Sequence, residues 1–258
     1  MGLWLAALSG IIGGGALLLG AAAAWFVRIP QVVVAAIMAI GAGVLISTLA
    51  FELVEEASAD GGLVATVVGF VVGAVLYIVA DALVSRPRRA RSGAAGTTER
   101  PAGIVPRRAA AGLAGGSGIA IAAGALIDGI PESIVMGLSV VGGGGLSVPI
   151  VAAVAISNIP EGLGSTAALK RQGSGAGAVF GLWGGIAVIT VVAACAGYLL
   201  FQSAPAELTA VVTTIAAGGL LAMVCNTMIP EAFEKQRMLT GLWATLGFLA
   251  AFVLHEVS

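Results

Sequence analysis

ALIDGIPESIVMGL, residues 125–138, places two carboxylates, Asp128 and Glu132, in a run otherwise apolar enough to lie within a lipid bilayer. They stand about one helical turn apart, with Pro131 between them. A near copy, AISNIPEGLGST at 155–166, follows in the next apolar run. Whether these runs are membrane spans decides the fold, and the rest of the chain answers.

Of 258 residues, 59% are hydrophobic and 10% charged, with a mean hydropathy of +1.08. Soluble domains carry about 25% charged residues, so the chain reads as an all-α integral membrane protein. A span takes roughly 20 apolar residues. Cutting at polar breaks predicts eight transmembrane helices, at about 3–27, 31–53, 61–84, 113–140, 146–169, 175–201, 209–230 and 238–257. The whole chain, 1–258, is expected to be a single transmembrane domain. One long connection, 85–112, has the Arg, Gly, Ala and Pro content of a flexible loop. The N-terminal MGLWLAALSG has no basic region ahead of its apolar run, so it reads as the first span and not as a cleaved signal. Cys195 and Cys225 both fall in apolar runs and read as small buried residues, with no disulfide framework.

All twelve Lys and Arg fall in odd-numbered connections. Arg28 follows span 1, and Arg86, Arg88, Arg89, Arg91, Arg100, Arg107 and Arg108 follow span 3. Lys170 and Arg171 follow span 5, and Lys235 and Arg237 follow span 7. Basic loops stay cytoplasmic, so the odd connections, the 85–112 loop included, are expected inside and both termini outside.

The chain also resembles itself. GVLISTLAFELVEEA (43–57) aligns with GLLAMVCNTMIPEAF (219–233), setting Glu55 opposite Glu231. GLVATVVGF (62–70) aligns with GLWATLGF (241–248) across one gap. Spans 1–3 thus pair with spans 6–8, which run the opposite way, and IDGIPES pairs with ISNIPEG in spans 4 and 5. Such a 3+2+3 inverted repeat is a transporter signature, with the substrate site near the midplane.

At about 1.5 Å rise per residue, Asp128 and Glu132 lie near the middle of span 4, and Ser157, Asn158 and Glu161 at similar depth in span 5. Residues i and i+4 share a helix face, so Asp128 sits with Glu132 and Ser157 with Glu161, with Asn158 bordering the second face. An ionised carboxylate at the bilayer centre costs about 2.5–3.5 kcal/mol on insertion scales. No Lys or Arg lies within any span, so the charge must be met by a proton or a bound cation. Pro131 and Pro160 each remove a helical hydrogen bond, kink the helix and free a carbonyl, near positions 127 and 156. The plainer alternative is that the prolines shape the bundle and protonated carboxyls bond between helices.

DGIPES and SNIPEG resemble the paired metal-binding motifs of the ZIP family of divalent-metal transporters, in its bacterial branch. The likeness covers most of the chain: eight spans, termini outside, a long inner loop after span 3, and the inverted arrangement. It implies carriage of zinc, iron, manganese or cadmium toward the cytoplasm, across a bacterial inner membrane. Glu132 and Glu161 match the motif glutamates that bridge two metals, and Asn158 a ligand position. Asp128 stands where the family has His, Gly129 where it has Asn, and Ser157 where His or Gln is frequent. Span 6 has no acidic residue, and the long loop lacks a His cluster. The second metal position is thereby in question. The expected ligands, Asp128, Glu132, Asn158, Glu161 and Ser157, are nearly all oxygen, which suits hard cations such as Mn, Mg or Ca, although zinc also takes carboxylates.

Ser47 and Asn226 are further candidate ligands, or interhelical hydrogen-bonding groups. Glu52, Glu55, Glu56 and Asp60 crowd the outer end of span 2, as a cation-attracting mouth or as a solvated helix end. Glu231 and Glu234, beside Lys235 and Arg237, read as an inner exit or as surface ion pairs. The 39 glycines read as sites of close helix packing. Against an enzyme stands the lone histidine, His255, at the chain end. A proton-coupled carrier of another solute is the alternative class, with the carboxylates as proton sites. No prosthetic group and no nucleic acid is expected. The partners are a divalent metal ion as substrate and the lipid bilayer, with a homodimer left open.

Overall fold

The computed structural model describes residues 1–84, 118–141 and 145–257. The arginine-rich loop expected at 85–112 lies outside the described residues. Among them there is no strand. The order is α1 (Gly2–Phe26), α2 (Gln31–Thr48), a π-helical segment π1 (Leu49–Val54), α3 (Glu55–Val84), α4 (Gly118–Leu138) and α5 (Val148–Arg171). It continues with α6 (Ala176–Phe201), α7 (Ala206–Met223), a second π-helical segment π2 (Val224–Met228), α8 (Ile229–Gln236) and α9 (Thr240–Val257).

Six stretches are long and apolar enough to cross a membrane: Gly2–Phe26, Gln31–Leu83, Ile121–Leu138, Val148–Arg171, Ala176–Phe201 and Ala206–Gln236. Thr240–Glu256 is apolar but shorter. These are the helices of a multi-pass membrane protein. Gln31–Leu83, at 53 residues, would run about 80 Å if straight, far beyond the ~30 Å hydrocarbon core. It is not one rod. Gly62, at φ 75° and ψ 164°, breaks it, in a backbone region essentially confined to glycine.

Local chemistry sets the ends of α5, the helix that carries the second Ile-Pro-Glu. Ser147 caps it, its hydroxyl accepting from the Ile150 amide at 3.4 Å. Pro149 in the first turn lacks only a donor that has no helical partner there. Lys170 and Arg171 complement the negative end, and Gly173, at φ 83°, lets the chain leave.

The helices pair closely: α1 with α5 and α6, α4 with α6, α2 with α9 and α5, and α3 with α7. Glycines make the approach close. Gly20 meets the backbone of Ile159 and Gly162 that of Leu17, Gly43 that of Ala244 and Gly247 that of Ile40. Gly73 meets Ile215 and Gly218 meets Phe70, while Gly137 meets Ala194 and Gly197 meets Ile134. A Cβ at any of these would collide with the facing backbone. The exterior is apolar instead of charged, as along α3, where Leu63, Val64, Val67, Val68, Val71 and Val75 are all exposed. Polar groups such as Thr166, Thr190 and Thr214 are buried, and the Trp183 indole donates to the Thr166 hydroxyl at 2.7 Å.

Candidate functional site

The two Ile-Pro-Glu segments meet inside the bundle. Asp128 and Glu132 from α4, and Ser157 and Glu161 from α5, line one cavity of about 590 Å3, its open side included. The i, i+4 reading placed each pair on one face, and both faces point the same way. A third helix joins them: Thr227 of π2 and Glu231 of α8 line the same cavity. Thr227 and Glu231 stand in the spacing of Asp128 to Glu132 and of Ser157 to Glu161. Glu231 also closes a third Ile-Pro-Glu, at 229–231. That repeat is the signal by which Glu231 could have been found from sequence; it is a wall residue of the cavity, not part of a surface mouth.

Glu132 is the most enclosed of these groups, at 2% exposure. Ser157 lies 3.5 Å from its Oε1. The same hydroxyl donates at 2.9 Å to the Val154 carbonyl, and a hydroxyl has one proton to give, so the longer contact adds little. Oε2 has no hydrogen-bond partner among the described residues. Glu231 is also buried, at 5% exposure. The Tyr77 hydroxyl of α3 lies 3.3 Å from Thr227 Oγ1, tying the third wall to its neighbour. Met38, Met223 and Met228 line the cavity too, so three thioether sulfurs stand beside the oxygen set that the sequence predicts. No Lys, Arg or His among the described residues lines it. Among the described residues, no group of three His, Cys, Asp or Glu side chains is placed so that it could hold a metal ion. The carboxylates line one cavity from three helices, but no three of them converge.

The other predicted residues fall elsewhere. Asn158 is buried, but its amide donates to the Gly13 carbonyl of α1 at 3.0 Å, and it does not line the cavity. Ser47 is buried away from it and Asn226 is exposed. Pro160 lines the cavity, whereas Pro131 faces an apolar groove between α3, α4 and α7 that Asp128 also borders. The acidic mouth divides. Glu52 accepts from Ser147 at 3.2 Å and lies 2.7 Å from His255 Nδ1, whose ring stacks on Phe51. Glu55 is exposed, and Glu56 and Asp60 line a small cleft with Val135, Leu138 and Ser139. Cys195 is half-buried and Cys225 exposed, so the second does not fit the reading of a small buried residue.

No protein-family model matches the chain, and neither does any curated protein sequence.

Proposed function

We propose that the chain is a transporter of a divalent transition-metal cation, of the ZIP kind, with zinc as the default substrate and manganese, iron or cadmium as alternatives. The observation that carries this reading is the cavity. Four carboxylates, Asp128, Glu132, Glu161 and Glu231, line one space inside a bundle of apolar helices, with no basic side chain beside them among the described residues. Such a wall is hostile to anions and demands a cation or protons. One Glu132 oxygen, buried and unpartnered, stands ready for either.

The topology proposed is eight spans in a 3+2+3 inverted repeat. Gln31–Leu83 counts as two crossings divided at Gly62, and Thr240–Glu256 as the last. Exchanging spans 1–3 for 6–8, and 4 for 5, turns the α1–α5 pair into α6–α4 and the α2–α9 pair into α7–α3. Those are the pairs that pack, with glycines reciprocally placed in each. The two π-helical segments, in spans 2 and 7, exchange as well. Movement is toward the cytoplasm of a bacterial inner membrane.

Because the carboxylates do not converge, binding would draw the walls together around the ion, and Pro131, Pro160 and the π2–Pro230 junction are where the helices bend most readily. The same lack of convergence supports the second reading, in which the carboxylates are proton sites of a carrier for another solute. Uptake into proteoliposomes separates them. With Zn, Mn, Fe, Cd and Mg offered in turn, at least one transition metal should enter faster than into protein-free vesicles. The Glu132→Gln/Glu161→Gln double variant should abolish that uptake. No uptake of any metal, or wild-type uptake by the double variant, would sink the proposal.

A further inference from the structure

Toward the Lys170–Arg171 end of α5 lies a pocket that the carboxylates do not reach. The end of α1, the start of α2 and the end of α5 border a hollow of about 750 Å3, its open side included, lined by Arg28, Lys170 and Arg171, with Gln31, Val27 and Ile29. Among the described residues, no carboxylate lines it. Lys170 is posted in place: its ammonium donates to the Trp25 carbonyl at 2.6 Å and sits 5.3 Å from the Trp25 ring centre. That leaves further N–H donors on Lys170 and both guanidiniums to serve a guest. Among the described residues, neither Arg28 nor Arg171 has a carboxylate partner. The positive end of α2 also starts beside the pocket, with no acidic residue in its first turn. The negative end of α5 opposes this, but about half a charge is outweighed by three full cations.

Depth argues for the guest's nature. Trp25 and Phe26 cluster with Phe180, at ring-centre distances of 6.0 and 6.4 Å. Tryptophan collects at the head-group level of a bilayer, and Trp25 anchors this cluster beside the basic residues. Phe26 and Val27 are 78% and 57% exposed, so an apolar flank adjoins the charged hollow. A zwitterionic head group gains nothing from its cation here, since no described residue offers a carboxylate and Lys170 already covers the Trp25 face. We propose that this pocket binds the phosphate head group of an anionic phospholipid through Arg28, Lys170 and Arg171, with the acyl chains lying against Phe26 and Val27. Basic pockets between membrane helices hold lipid head groups in this manner.

The test is native mass spectrometry of the full chain, purified with equal amounts of phosphatidylglycerol and phosphatidylcholine. The wild type should retain one phosphatidylglycerol with a preference of about tenfold or more. The Arg28→Gln/Lys170→Gln/Arg171→Gln variant should lose most of it. The arginines of the 85–112 loop are present in both proteins, so their diffuse attraction cancels from the comparison. Soluble glycerol phosphate in excess should not displace the lipid; displacement would assign the pocket to a free phosphate ester and overturn the proposal. So would a wild type without preference, or a variant that keeps it. All three residues are exposed, and the melting temperature reports whether the triple variant still folds. If it does not, Arg171→Gln alone is read the same way, with a severalfold loss expected and an unchanged preference overturning the proposal. The outcome is independent of whether the carboxylate cavity carries metal.

Discussion

At the scale of single residues, Glu132 poses the sharpest problem, a carboxyl 2% exposed with one oxygen unpartnered. If it is there to meet a cation, Glu132→Gln keeps the shape and removes the function. Uptake should fall by more than the roughly 10–100-fold expected from losing a mere supporting partner, while the melting temperature stays close to wild type. Glu231→Gln should act in the same direction, because Glu231 is buried in the same wall. Wild-type uptake by that variant would mean that Glu231 lines the cavity without taking part in transport. Asp128→His supplies an imidazole, which suits zinc better than a hard carboxylate does, so the zinc-to-manganese uptake ratio should rise; a ratio that stays put would place Asp128 outside the ion's shell. Metal ligands must be deprotonated to bind, so affinity should weaken as the pH falls from about 8 to about 5, as read by isothermal titration. An affinity flat across that range would count against carboxylate ligation. Asp128, Glu132, Ser157 and Glu161 were legible because i, i+4 spacing is a local property. Asn158 falls outside the cavity for the complementary reason: one residue along from Ser157 turns the side chain about 100° on a helix of 3.6 residues per turn. Only the tertiary structure says that α1 lies on that side. Glu231 was read against its basic neighbours Lys235 and Arg237, and the third Ile-Pro-Glu went unused.

At the scale of elements, glycine decides where chains turn and how near they come. A break was expected at 54–60, between the second and third predicted spans; the helical geometry is interrupted at Gly62 instead, just inside the predicted third span. Gly62→Ala forces a side chain into a conformation reserved for glycine and should destabilise by about 1–3 kcal/mol. Gly43→Val meets the Ala244 backbone and should cost at least about 1–3 kcal/mol by overpacking. Gly181→Ala is the contrast: nothing lies near its added Cβ, so the change should be neutral or stabilising, by up to about 1 kcal/mol. Denaturant unfolding in detergent ranks the three. A Gly43→Val protein as stable as Gly181→Ala would mean that α2 and α9 do not approach as closely as described. The π segments were not legible. A π turn has no compositional signature; it widens the i to i+4 ladder to i+5, and the only hint at π2 was Pro230, which cannot donate to the turn before it.

At the scale of the whole molecule, the arrangement of the helices rests on a charge asymmetry and on one break. The basic residues fall on alternate connections, a pattern that reads as sidedness only when the spans are counted correctly, and seven of the twelve lie in the 85–112 loop outside the described residues. The connections at the two ends of α6 make the test independent of that loop. Ser174 precedes α6 and Ser203 follows it, and its 26 residues span about 39 Å, enough to cross the hydrocarbon core. Cys195→Ala and Cys225→Ala remove the native thiols. In that background Ser174→Cys should label only from the cytoplasm, since Lys170 and Arg171 stand beside it, and Ser203→Cys only from outside. Ser58→Cys then distinguishes the span counts. If Gln31–Leu83 turns back at Gly62, residue 58 lies at the outer surface and labels together with residue 203. If the stretch were one tilted crossing, residue 58 would sit in the hydrocarbon and stay unlabelled from either side. A silent residue 58, or residues 174 and 203 labelled from the same face, would break the proposed inverted repeat and remove the ground for treating Glu132 and Glu161 as equivalent.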